Sequence, residues 1–170
     1  MTIRVGIGGW SFEPWEETFY PPKIAAAKQL EYASSKVTAI EINATFYRTQ
    51  TAASFKKWAT STPETFMFSV KAPRAAVQRK DLREAAQSIE WFFNSGVGEL
   101  GSKLGPIFWQ MAPYKKFDAD EINAYFDMLP EKLGKLKLRH AIEVRHASFT
   151  DEAFLKIARE RNIAVVTVES

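Results

Sequence analysis

Cysteine is absent from the chain and histidine occurs only twice. Disulfides, thiolate metal sites and cysteine nucleophiles are thereby excluded, and a multi-zinc cluster lacks its usual ligands. No apolar run nears the roughly 20 residues that a membrane-spanning helix requires. The opening stretch, Met-Thr-Ile-Arg-Val-Gly-Ile, passes straight into a strand-like run without the layout of a secretory leader. Together with the missing cysteines, this makes the cytoplasm the expected location. Linkers and low-complexity segments are also missing, so one domain over residues 1–170 is expected. Charge of one sign does not dominate either: the net charge is +3 and the isoelectric point about 9.1, with basic residues spread along the chain. Such a balance permits contact with a polyanion without requiring it. The nearest approach to a basic cluster is Lys132, Lys135, Lys137 and Arg139, expected in a solvated helix-to-strand loop.

Aromatic residues, by contrast, are plentiful. Thirteen Phe and five Trp point to a well-filled core or a cleft rich in stacking surfaces. Apolar strand-like runs near 3–7, 37–42, 66–71, 105–110, 139–144 and 163–168 alternate with helical stretches near 23–35, 51–60, 82–99, 118–132 and 151–160. Good helix N-cap residues stand at the joins: Thr51, Asp81, Asp118, and Thr150 or Asp151. This alternation predicts βα units and a parallel sheet. Several strands carry small or polar residues on one face and bulky apolar ones on the other. Gly6 and Gly8, Ala39 and Glu41, Ser69 and Lys71, and Ala141 and Glu143 fit an inward face. That pattern favours an α/β barrel of the TIM (β/α)8 type over an open doubly wound sheet, whose central strands are apolar on both faces. The turn Gly6-Ile7-Gly8-Gly9-Trp10 lacks the glycine spacing of a dinucleotide site.

A full barrel of this type takes about 250 residues, and about 200 at the least. Six βα units are legible here and two are not. The expectation is an incomplete barrel: a fragment, or a chain completed by a second chain or by an oligomer, since an open barrel leaves bare strand edges.

Ligands of such barrels bind at the carboxyl ends of the strands. Trp10 and Ser11 follow the first strand, and Glu41, Asn43 and Tyr47 the second. Lys71 and Arg74 follow the third, Gln110 the fourth, Glu143, Arg145 and His146 the fifth, and Glu169 the sixth. Alternation puts Ala39, Glu41 and Asn43 on one face. Polar groups there need partners or a ligand, because burying them unpaired is costly.

Glu41 and Glu143 are candidate acid/base groups, or else partners of Lys71 and Arg145 in structural ion pairs. Lys71 is a candidate amine nucleophile or, more simply, an anion contact. Arg74 and Arg145 suit bidentate contact with a carboxylate or phosphate. His146 fits hydrogen bonding in a loop, and His140, at the base of its strand, a structural role. Trp10 and Tyr47, in loops at the ligand end, are candidate stacking groups. No metal-ligand spacing is present, although Glu41 and Glu143 leave a carboxylate-bound Mg2+ or Mn2+ open. No cofactor can be named from the sequence.

Five segments together resemble one family. They are Gly-Gly-Trp-Ser at 8–11 with Tyr20-Pro21, Glu-Ile-Asn-Ala-Thr-Phe-Tyr at 41–47, Phe-Ser-Val-Lys-Ala-Pro at 68–73, Phe-Trp-Gln-Met-Ala-Pro at 108–113, and Ile-Glu-Val-Arg-His-Ala-Ser-Phe at 142–149. They are similar, in the same order, to segments of the YecE-like family, domain of unknown function seventy-two. The resemblance implies a TIM-type barrel of about 240–300 residues with no established activity. It also implies shared polar positions at Glu41, Asn43, Tyr47, Lys71, Gln110, Glu143 and Arg145. The family's seventh and eighth strands have no counterpart in this chain.

Three functions fit these residues. One is an enzyme or enzyme-like protein that binds a small anionic or polyhydroxylated ligand, with Lys71 and Arg145 holding the anion and Asn43 and Gln110 orienting it. Another is a nucleic-acid-associated protein that stacks bases on Trp10 and Tyr47. The third is a non-catalytic binding or interaction module, since fold does not fix function.

Overall fold

Strand–helix alternation is realised throughout residues 3–169, which a computed structural model describes. In chain order the strands are β1 (Gly6–Gly8), β2 (Ala39–Ile42), β3 (Met67–Lys71), β4 (Leu104–Gln110), β5 (Lys132–Leu133), β6 (Leu136–Lys137), β7 (His140–Glu143) and β8 (Ala164–Val165). The helices are α1 (Ala26–Ser34), α2 (Ala44–Tyr47), α3 (Ala52–Thr60), α4 (Arg74–Val77), α5 (Ala86–Asn94), α6 (Ala119–Asp127) and α7 (Glu152–Glu160). Six strands pair in parallel in the order β1-β2-β3-β4-β7-β8, while β5 and β6 form a separate antiparallel hairpin. The result is an arc of a (β/α)8-type barrel that does not close: β1 pairs only with β2, and β8 only with β7.

The two faces of the arc differ as period-two alternation demands. Ile40, Ile42, Phe68, Val70, Ile107, Trp109 and Ile142 point toward the helices and are fully buried. Each such side chain contributes about 1.5–3 kcal/mol on leaving water. Register then aligns the opposite face in rows: Gly8 beside Glu41 beside Ser69, Lys71 beside Phe108 beside Ala141, and Gln110 beside Glu143.

Three of the expected caps form at helix starts: Thr51 Oγ1 accepts from Ser54 N, Asp118 from Glu121 N, and Asp151 from Ala153 N. Asp81 likewise accepts from Arg83 N, but at a single 3-10 turn over Leu82–Ala85. At the α7 start Asp151 serves, while the Thr150 hydroxyl donates to the Ala147 carbonyl.

Two expected helices are shorter than their apolar pattern. The stretch 82–99 divides into a 3-10 turn, α5, and a second 3-10 segment over Val97–Lys103. Gly96 breaks it with φ 105°, and a Cβ there would lie 2.5 Å from the Ala52 Cα of α3. The stretch 118–132 stops at Asp127, before Pro130. Three of the basic residues expected in a loop, Lys132, Lys135 and Lys137, instead fall in the β5–β6 hairpin, which turns at Gly134 with φ 58°, and Arg139 follows it. Lys132, Lys135, Lys137 and Arg139 are all exposed there, as expected.

One buried ion pair ties the helical layer together. Lys115 and Glu121 bond to each other with side chains 8% and 11% exposed. Lys115 Nζ also donates to the Lys80 carbonyl at 2.8 Å, and Glu121 Oε1 accepts from Leu82 N at 2.6 Å. Among the described residues, no helix is long and apolar enough to cross a membrane.

Candidate functional site

Residues at the carboxyl ends of the strands separate into two groups, one on the inner face of the arc and one along its rim. Glu41, Lys71, Gln110 and Glu143 stand on the inner face because each occupies an inward position of β2, β3, β4 or β7. Glu143 is buried, and its carboxylate is well supplied with donors. Gln110 Nε2 lies 3.0 and 3.1 Å from its two oxygens, and Arg145 Nε reaches Oε1 at 2.5 Å. Glu41 is different. It is half-buried, and its carboxylate makes no hydrogen bond or ion pair with another described residue. Burial pushes its carboxyl above the ordinary carboxylate range; the Lys71 ammonium opposes that rise and the Glu143 charge adds to it. The two carboxylates therefore sense each other across the inner face.

Of the two ion pairs considered from the sequence, only Glu143–Arg145 forms; Glu41 and Lys71 are not in salt-bridge contact. Lys71 Nζ instead lies over the rings of Phe46 and Phe108, 5.1 and 5.6 Å from their centroids. Ring contacts of this kind leave the three N–H donors of an ammonium for a further partner.

Asn43 leaves the face that alternation assigned to it. β2 ends at Ile42, and Asn43 turns into helical backbone at φ −88°, ψ −21°, at the start of α2. Its amide comes to rest against the first turn, where a Cβ on Gly8 would meet Asn43 Nδ2 at 3.3 Å. Thr45 pins this corner to the next strand: its Oγ1 lies 3.0 Å from the Ile42 carbonyl and 2.6 Å from the Lys71 carbonyl.

The rim collects the remaining candidates. Trp10, Ser11 and Asn43 line a depression of about 370 Å³ with Arg48, Gln50 and Trp58, and Trp10 meets Trp58 edge-to-face at 5.4 Å. Tyr47 and Arg74 line a second one of about 420 Å³, again with Arg48. Tyr47 is 80% exposed. Arg74 Nε donates to Gln78 Oε1 at 2.6 Å. Neither cavity is lined by Glu41, Lys71, Gln110 or Glu143. A further depression, about 580 Å³, lies over the outer face of α7 and holds no strand-end residue.

The histidines are engaged locally. His146 Nδ1 accepts from Ser148 N at 3.1 Å and so caps a 3-10 turn at 147–150. His140 Nδ1 accepts from Trp109 Nε1, its Nε2 faces the Pro130 carbonyl at 2.8 Å, and burial holds its pKa down. A neutral imidazole with Nε2 protonated satisfies both contacts, which is the structural role expected of it. Glu169 is exposed beyond β8. No three His, Cys, Asp or Glu among the described residues gather around a metal-sized space.

Two rim residues were not singled out from the sequence. Arg48 lies one position past the 41–47 motif. Trp91 is 64% exposed on α5 although Ile89, Phe92 and Phe93 are buried, so a large aromatic ring on a polar helix face was the available signal.

Residues 4–170 match the family described as protein of unknown function DUF72. The chain belongs to the DUF72 family. It is 31% identical over 158 residues to the UPF0759 protein YunF of Bacillus subtilis, covering 89% of this chain and 54% of YunF. A crystal structure of a DUF72 family protein from Thermotoga maritima superposes with a TM-score of 0.78 at 24% identity, over 98% of this chain and 64% of that one. One from Enterococcus faecalis gives 0.76 at 18%, over 96% and 60%. The family resemblance and the (β/α)8-type fold read from the sequence are thus borne out, and the chain spans about half to two thirds of the length of these relatives.

Proposed function

We propose that the inner face binds a small anionic or polyhydroxylated ligand at the ends of β2, β3, β4 and β7. Acid/base exchange rests on Glu41, with Glu143 as the second carboxylate. The observation that carries this reading is the contrast within the row of strand ends: Glu143 is saturated by Gln110 and Arg145, while Glu41 and Lys71 face inward without a hydrogen-bonded partner. A carboxyl whose proton is held more tightly than usual is better suited to hand a proton to a ligand than an ordinary carboxylate is. Lys71 supplies positive charge for the ligand's anionic group, and its ring contacts keep the ammonium aimed at the inner face. Arg145, 46% exposed, has donors left for the same anion after its bond to Glu143.

The test is a thermal-shift screen of the chain against sugar phosphates, polyols and small carboxylates, because a ligand that binds only the native state raises Tm. A phosphate or carboxylate compound should raise Tm, and Lys71→Met should abolish the rise. Glu41→Gln should leave binding but remove any turnover of that compound. The proposal fails if no compound shifts Tm, or if Lys71→Met leaves the shift intact.

A further inference from the structure

The rim differs in chemistry from the inner face. Beside the depressions around Trp10 and Tyr47 lies a third of about 100 Å³, bordered by Trp91 and sharing Gln50 with the first and Thr49 with the second. Arg48 joins the first two. The three adjoin through these shared residues and make up the rim groove, outside the inner face. No Asp or Glu lines any part of it, although the chain carries 20 of them. Its charge comes from Arg48 and Arg74, and neither is paired with a carboxylate of any described residue. The Nε bond of Arg74 to Gln78 fixes the plane of its guanidinium and leaves the terminal N–H groups for a ligand. Aromatic surface is spaced along the same path. Tyr47 and Trp91 are 80% and 64% exposed, and Phe46 packs edge-on against Tyr47 at 5.1 Å, which steadies its ring.

Two unpaired guanidiniums, exposed ring faces and the exclusion of carboxylates define a narrow ligand class. Guanidiniums grip phosphate oxygens through paired N–H donors. Flat exposed rings accept a planar base, and a groove without negative charge does not repel a phosphodiester. A volume near 400 Å³ lies within the range of small-molecule sites. From this we infer that the rim groove binds nucleotides, free or within a single strand, with phosphate on Arg48 and Arg74 and bases on Tyr47 and Trp91. This site is independent of the inner-face ligand, since the two share no charged residue.

The test uses the whole chain and three probes: inorganic phosphate, AMP, and a fluorescein-labelled oligothymidine of about ten nucleotides, inside the roughly 4–16 that single-strand grooves engage. Affinities come from calorimetry for the first two and from fluorescence anisotropy at several salt concentrations for the third. Nucleotide should bind and phosphate alone should bind at least tenfold more weakly. Arg48→Gln with Arg74→Gln should flatten the oligonucleotide salt slope by about 1.4, from roughly 0.7 per phosphate contact. Trp91→Ala and Tyr47→Ala should each weaken binding about 5- to 150-fold, the range for one stacked base. All four side chains are exposed, so the variants keep the fold, which their melting curves verify. Tighter binding of the strand than of AMP identifies a single strand as the natural source; equal binding identifies a free nucleotide. Four outcomes overturn the inference: no binding of AMP or oligonucleotide, phosphate binding as tight as AMP, variants without effect, or an equal loss on Lys132→Gln with Lys137→Gln in the β5–β6 hairpin, which lines none of the three depressions. Glu41→Gln should leave nucleotide binding unchanged, so the groove and the inner-face proposal stand or fall separately.

Discussion

Removing the cation from each of the two ion pairs whose carboxylate is buried should separate structural from ligand-facing charge. In the Lys115–Glu121 pair both side chains are almost fully buried, and Glu121 has only one other donor, Leu82 N. Lys115→Met keeps most of the side-chain volume but strands a buried carboxylate, which costs about 3–5 kcal/mol. In the Glu143–Arg145 pair the carboxylate side chain is just as buried, at 5% exposed, but the arginine is 46% exposed. Gln110 Nε2 stays in place at 3.0 and 3.1 Å when the guanidinium goes, and water can take the position Arg145 vacates. Arg145→Met should therefore cost only about 1 kcal/mol, within the range of exposed pairs.

For a chain of this size 1 kcal/mol moves Tm by about 2–4 °C, so the expected losses are about 6–20 °C for Lys115→Met and about 2–4 °C for Arg145→Met. Urea unfolding followed by circular dichroism gives the same comparison at one temperature. If Arg145→Met destabilises as much as Lys115→Met, Arg145 is a structural partner of Glu143 and cannot be counted as a ligand contact. If Lys115→Met costs under about 1 kcal/mol, the premise that burial makes the pair matter is wrong.

Two further outcomes follow from single side chains. The folded pKa of Glu41 lies above its unfolded value, so the stability it lends is complete below the unfolded pKa near 4.5 and is lost as pH rises through the folded one. Glu41→Gln should accordingly be more stable than the parent at pH 7, with a gap that closes toward pH 4; a gap of the same size at both values would show that charge is not the cause. Tyr125 is fully buried and its hydroxyl has no hydrogen-bond partner, so Tyr125→Phe should gain about 1–3 kcal/mol by removing an unsatisfied group. A lower Tm for Tyr125→Phe would show that the hydroxyl is satisfied in solution.

Local rules located the strands because each has to present alternate residues to helices and to the barrel interior. Phe68 and Val70 against Ser69 and Lys71 is such a case, and it held. Extents were harder, because they depend on partners far along the chain. β1 is three residues and β8 two, each paired on one side only. The break at Gly96 depends on Ala52, more than forty residues away, which no local window contains. The β5–β6 hairpin was more accessible, since Leu133 and Leu136 flank Gly134-Lys135 as a two-residue turn. A periodic apolar pattern running up to 132 concealed it.

For the site, strand-end position was legible and direction was not. Alternation carried Glu41 inward correctly but failed at Asn43, because it applies only while the backbone stays extended. One turn of helix after β2 sends Asn43, Tyr47 and Arg48 to the rim, so a single seven-residue motif contributes to two surfaces of opposite character. Its carboxylate joins an inner face where Glu143 is the second acid, and its far end joins a groove that no acid lines. A ligand-binding role is best assigned where polar groups lack partners within the chain, because a satisfied group gains little from a ligand. By that criterion Glu143 and Gln110 hold each other in place, and Glu41, Lys71, Arg48 and the free end of Arg74 are the groups with bonding capacity to offer.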